Sequence, residues 1–167
     1  MNLHKHRFDS VEGYLHHRAP YLLVEAIVSI ANDQIVTSKK VRGDEFFLEG
    51  HFPGAPIFPG AMMQELTTQS AGILLAAEHN PMEKYDTTDP FFNEYALGVL
   101  VKVKRARYRT FARPGDEMTV TVKMSEAVSN IFDFSAEIRV GENKIMNNSF
   151  QLTNIKSSTL QLSLIHI

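Results

Sequence analysis

Cysteine is absent from this 167-residue chain. That removes disulfides, thiolate nucleophiles and cysteine-ligated zinc together, so any chemistry must use histidine, carboxylates, hydroxyls or the backbone. Long apolar runs are also missing. No segment approaches the ~20 uninterrupted apolar residues of a membrane span, and the start, Met1-Asn-Leu-His-Lys-His-Arg-Phe8, lacks the apolar core of a secretory signal. A cytoplasmic protein without a membrane segment is expected. Surplus positive charge is lacking too. The formal net charge of -2 argues against a general nucleic-acid binder and leaves only local polyanion contacts open.

The content is that of an ordinary globular chain, 44% hydrophobic and 22% charged, and the length suits one domain. We assign residues 1–155 to that domain. Residues 156–167 read as a disordered or foreign tail, because Leu162-Ser-Leu-Ile-His-Ile167 follows a polar run and continues no strand pattern. A short helix is expected over residues 8–17, with Asp9 or Ser10 as N-cap, ended by Pro20. A hairpin should follow, its strands at 21–30 and 35–41 around the turn 31–34. Phe46, Phe47 and Leu48 form an apolar knot expected beneath the next loop.

That loop is the most informative stretch: His51-Phe-Pro-Gly-Ala-Pro-Ile-Phe-Pro-Gly60. Pro53, Pro56 and Pro59 restrict the backbone, and Gly54 and Gly60 free it. The loop can therefore hold His51 in place. From Gly60 good helix formers take over, and an almost wholly apolar helix is expected over 60–78, buried against a sheet. It carries one carboxylate near its start, Glu65. After a polar connection over 79–93, strands are expected at 95–111, 117–127, 131–140 and 144–153 as an antiparallel meander. The expected class is α+β.

The string H-F-P-G-x-P-x-x-P-G followed by Glu65 and Gln69 resembles the signature of 3-hydroxyacyl-[acyl-carrier-protein] dehydratases of the FabZ type. Two further stretches resemble the same family in the same order: His17-Arg-Ala-Pro20-Tyr-Leu-Leu-Val-Glu25 upstream, and Arg105-Ala-Arg-Tyr108 with Arg113-Pro-Gly-Asp116 downstream. The resemblance spans residues 9–155. It implies the hotdog fold, an antiparallel sheet wrapped around a long central helix. It also implies dehydration of 3-hydroxyacyl thioesters to trans-2-enoyl thioesters, in fatty-acid or related acyl-chain synthesis, with no cofactor and no metal. The partner implied is an acyl carrier protein. The assembly implied is a homodimer or trimer of dimers in which the histidine of one subunit faces the glutamate of another.

On that reading His51 is the base that removes the C2 proton, since imidazole titrates near neutrality. Glu65 is the acid that helps the C3 hydroxyl leave, because a carboxyl in an apolar site can stay protonated. The Gly60 N–H, at a helix start, would meet the thioester oxygen. One helical turn beyond Glu65, Gln69 either orients its carboxyl or serves as a packing amide. Met62, Met63 and Leu66 are either core or lining of an acyl tunnel. Arg105, Arg107 and Arg109 belong to a basic run that either attracts an acidic carrier or forms a solvated strand face. His4, His6, His16 and His17 have no carboxylate spacing that completes a metal site. Two other functions share the fold: an acyl thioesterase, which would release free acid, and an acyl-binding subunit without activity.

Overall fold

The computed structural model describes residues 2–89 and 97–156. One helix, α1 (Gly60–Glu78), lies against an antiparallel sheet of six strands: β1 (Ala26–Ala31), β2 (Gln34–Lys40), β3 (Leu97–Tyr108), β4 (Glu117–Val128), β5 (Ile131–Val140) and β6 (Asn143–Ile155). The strand order is β1-β2-β4-β5-β6-β3. Helix α1 starts where the Pro/Gly punctuation stops. Pro59 is extended at φ -63°, and its carbonyl accepts the N–H groups of Met62 and Met63. Alternation along the strands points Met118, Val120 and Val122 of β4, Phe134 and Ile138 of β5, and Met146, Phe150 and Leu152 of β6 at the helix. Helix residues Leu66, Ile73, Leu74 and Ala77 meet them and are fully enclosed. The expected wrap of sheet around a buried helix is thus present.

Three expectations need correction. The post-helix strands are not one meander, because β3 pairs with β6 at the far edge while β2 occupies the place beside β4. Sequential strands are only neighbours by default, and the loop after β3 is long enough to cross. The N-terminal helix is only a 3-10 turn, Val11–Gly13, and Ser10 makes no side-chain cap. Tertiary contacts fix that segment instead: Phe8 stacks edge-on to Tyr14, and the Tyr14 hydroxyl accepts the Phe8 N–H. The first hairpin strand begins at Ala26 rather than 21. Residues before it turn toward α1, where the Leu23 N–H donates to Gln69 Oε1.

Polar ties hold the helix in place. Thr37 of β2 shares a hydrogen bond of 2.8 Å with Ser70, and Asn148 of β6 donates to Gln64 and Thr67. At the helix C-terminus, Lys5 and Arg7 pair with the buried Glu78. The expected strand start at 95, part of the connection 79–93 and nearly all of the tail 156–167 lie outside the described residues. None of the described helices is long and apolar enough to cross a membrane.

Candidate active site

The His51 loop is clamped from three directions. Gly54 adopts φ +73°, a left-handed turn that glycine takes without penalty, between reciprocal hydrogen bonds of Phe52 and Ala55. Phe58 is buried, packs edge-on to Phe47 at 4.9 Å, and donates its N–H to the Ala112 carbonyl. Of the apolar knot, Leu48 is buried and Phe47 packs under the loop, whereas Phe46 is exposed. Behind it the buried Lys39 binds Glu45 at 2.5 Å and Glu25 at 3.0 Å, tying the approach segment to β2.

Within this frame His51 Nδ1 lies 3.0 Å from the Ile57 carbonyl. A carbonyl can only accept, so Nδ1 carries the proton and Nε2 keeps its lone pair in the neutral ring. The ring stacks on Phe52 at 4.2 Å. His51 shares a cavity of about 530 Å³ with Gly60, Met63, Tyr108 and Arg109. Gly60 opens α1, and its N–H has no intrahelical partner.

Glu65 faces elsewhere. It lines a second cavity, about 260 Å³, along the helix stripe Glu65, Thr68, Gln69, Gly72, Leu75 and Ala76. Gln69 is 1% exposed and fully committed: Oε1 accepts the Leu23 N–H at 2.8 Å, while Nε2 donates to the Tyr21 carbonyl and to Glu65 Oε1, both at 2.9 Å. The Leu23 bond fixes which end of the amide meets the carboxyl. His17 Nε2 stands 3.7 Å from the same Oε1, and its ring stacks on Tyr21. Burial lowers the His17 pKa; Glu65 opposes that shift and Arg18 adds to it. Burial and then the Glu65 carboxylate raise the Tyr21 pKa.

In one chain, therefore, His51 and Glu65 line different cavities, with Gly60 beside the first and Gln69 beside the second. Of the expected tunnel residues, Met63 lines the cavity with His51. Leu66 is fully enclosed core and Met62 packs half-buried against it, because the open stripe of α1 passes through Glu65, Gln69 and Gly72. Arg105 and Arg107 are exposed on β3, and Arg109 reaches Asn147 at the rim of the His51 cavity. Sequence reasoning missed His17, Tyr21 and Tyr108. The first two lie in the upstream stretch that resembles the dehydratases, which was the available signal; Tyr108 lies in the downstream one.

A FabA-like domain model matches residues 15–149. The 3-hydroxyacyl-[acyl-carrier-protein] dehydratase FabZ of Syntrophobacter fumaroxidans (strain DSM 10017 / MPOB) is 34% identical over 134 residues, covering 79% of this chain and 82% of that protein. FabZ of Petrotoga mobilis (strain DSM 10674 / SJ95) is 29% identical over 150 residues, covering 90% and 98%. Among solved structures, the dehydratase heterocomplex ApeI:P from Xenorhabdus doucetiae has a TM-score of 0.73 at 18% identity, covering 89% of this chain and 92% of that one. A hypothetical thioesterase protein with coenzyme A from Streptococcus pneumoniae TIGR4 has a TM-score of 0.57 at 12% identity, covering 78% and 85%. These structural likenesses establish the hotdog fold alone. The chain belongs to the FabA-like family.

Proposed function

We propose that this protein dehydrates 3-hydroxyacyl thioesters carried on an acyl carrier protein, giving trans-2-enoyl thioesters in fatty-acid or related acyl-chain synthesis. The observation that carries the reading is the fixed ring of His51: with Nδ1 committed to Ile57, Nε2 is the base in the cavity that contains the helix start. Nε2 takes the C2 proton, and the electron pair moves onto the thioester oxygen, where the Gly60 N–H meets it. As the pair returns, the C2–C3 double bond forms and the C3–O bond breaks. Glu65 supplies the proton that turns the leaving hydroxide into water, its carboxyl held by Gln69.

Because the two groups line separate cavities in one chain, the complete site needs two copies. Strand β3 supports that assembly. One of its edges pairs with β6, and it exposes Val101, Val103 and Tyr108. Tyr108 at its end lines the His51 cavity, while Gly98, Val99 and Leu100 at its start line the Glu65 cavity. Antiparallel pairing of β3 with a second β3 across a twofold axis would set the His51 cavity of one copy beside the Glu65 cavity of the other. A trimer of such dimers, the cytoplasmic location and docking of an acidic carrier on Arg105, Arg107 and Arg109 belong to the same proposal.

The test is turnover of carrier-linked 3-hydroxyacyl substrates followed by product mass. His51→Asn and Glu65→Gln should each abolish enoyl product while the fold is retained. After full subunit exchange an equal mixture should regain about a quarter of wild-type activity, since half of the dimers are mixed and each has one intact site. No recovery after confirmed exchange refutes the shared site. Release of free acid in place of enoyl product would favour a thioesterase.

A further inference from the structure

Tyr108 sits over the start of α1, on the wall of the His51 cavity. It is the last residue of β3, in register with Met146, and it lines the cavity of His51 and Gly60. Its ring edge covers Gly60: a Cβ on that glycine would lie 3.1 Å from Cε1, 3.2 Å from Cδ1 and 3.4 Å from Cζ. Cζ bears the hydroxyl, so the phenol oxygen is one bond from the atoms that touch the helix N-terminus. The first-turn N–H groups of Met62 and Met63 are both taken by the Pro59 carbonyl. No hydrogen bond among the described residues satisfies the Gly60 N–H or engages the Tyr108 hydroxyl. Phe52, Ile57, Phe58, Met63 and Phe111 make much of the remaining wall apolar, and the Arg109 guanidinium already reaches Asn147. An oxygen that enters this cavity therefore meets a backbone N–H and a phenol O–H, neither of them committed to a protein acceptor.

We propose that Tyr108 is a further catalytic residue, donating a hydrogen bond from its hydroxyl to the thioester oxygen beside the Gly60 N–H. The inference rests on the dehydratase reading given above. Negative charge grows on that oxygen as His51 removes the C2 proton, so a donor aimed there acts chiefly in the transition state. The proton stays on the phenol throughout; no bond to it breaks. Burial raises the Tyr108 pKa, which keeps the hydroxyl a donor into the alkaline range. The other titratable groups on the cavity wall are His51 and Arg109. Packing against Gly60 needs only the ring, which phenylalanine supplies equally. Loss of the oxygen alone thus separates catalysis from structure.

Tyr108→Phe, assayed on the same carrier-linked substrate as the wild type, should lower kcat by about a hundredfold, the low end for loss of one oxyanion donor, with KM nearly unchanged. Incorporation of 3,5-difluorotyrosine at position 108 tests the donor in a nearly isosteric side chain whose phenol ionises well below that of tyrosine. The alkaline limb of its kcat profile should move to lower pH. A Tyr108→Phe enzyme with wild-type kcat, or an alkaline limb that does not move, overturns the proposal while the dehydratase reading stands. Absence of enoyl product from the wild type would overturn both.

Discussion

Replacing Gln69 with leucine tests the Glu65 half of the site in one step, because that amide bonds to three groups at once. Leucine has similar bulk but orphans the Leu23 N–H, on a residue with 0% exposure, at about 1–3 kcal/mol. The Tyr21 carbonyl loses a partner worth about 0.5–1.5 kcal/mol net, and being nearer solvent it recovers some of that from water. The sum is about 2–4 kcal/mol. In a domain of this length each kcal/mol moves Tm by about 2–4 °C, so a fall of about 5–15 °C is expected in thermal denaturation at fixed protein concentration. Turnover should fall as well, since Glu65 Oε1 loses its fixed donor. Gln69→Glu is the companion variant. It keeps an acceptor for the Leu23 N–H but sets a second carboxylate against Glu65, so its stability deficit should shrink on acidification as a proton restores a donor. A leucine variant as stable and as active as the wild type would refute the claim that this amide holds Glu65.

Two further outcomes follow from buried charge. Lys39 is 2% exposed between Glu45 and Glu25, so Lys39→Met should cost about 3–5 kcal/mol in urea denaturation by stranding the buried Glu45. The double variant Lys39→Met with Glu45→Leu should recover much of that, and equal losses in single and double variants would contradict the ion-pair account. Burial pushes the Glu78 carboxyl up, but Lys5 and Arg7 outweigh it and hold the pKa below its ordinary value. A carboxylate depressed in the fold contributes stability present above its unfolded pKa and lost as pH falls through the folded one. The stability gap between wild type and Glu78→Gln should therefore be widest near neutrality, begin to narrow as pH falls past the ordinary glutamate value of about 4.3, and close only below the depressed folded pKa. A gap that ignores pH would argue against the pairing.

What could be read from the residues alone was local. The span of α1 follows from Pro59 and Gly60 at its head, the good helix formers of residues 61–66 and the absence of proline from there to Glu78. Strand β5 lies where alternation and flanking turn residues place it, and β4 and β6 run only a little past their expected ends. Propensity, periodicity and Pro/Gly geometry act over a few residues, so they are written in the chain. The loop bearing His51 and the helix bearing Glu65 were legible for that reason, and their spacing resembled a known family. Strand order was not, because β3 reaches its edge position only by pairing with β6, whose partner residues run from Met146 for Tyr108 to Ile155 for Leu97, far along the chain. Nor could periodicity reveal that Gln69 would bridge Tyr21 and Leu23, that His17 would approach Glu65, or that Tyr108 would cover Gly60. Such contacts join segments far apart in sequence. They exist only once the sheet has closed around the helix, since burial then decides which polar groups lose water and must find one another.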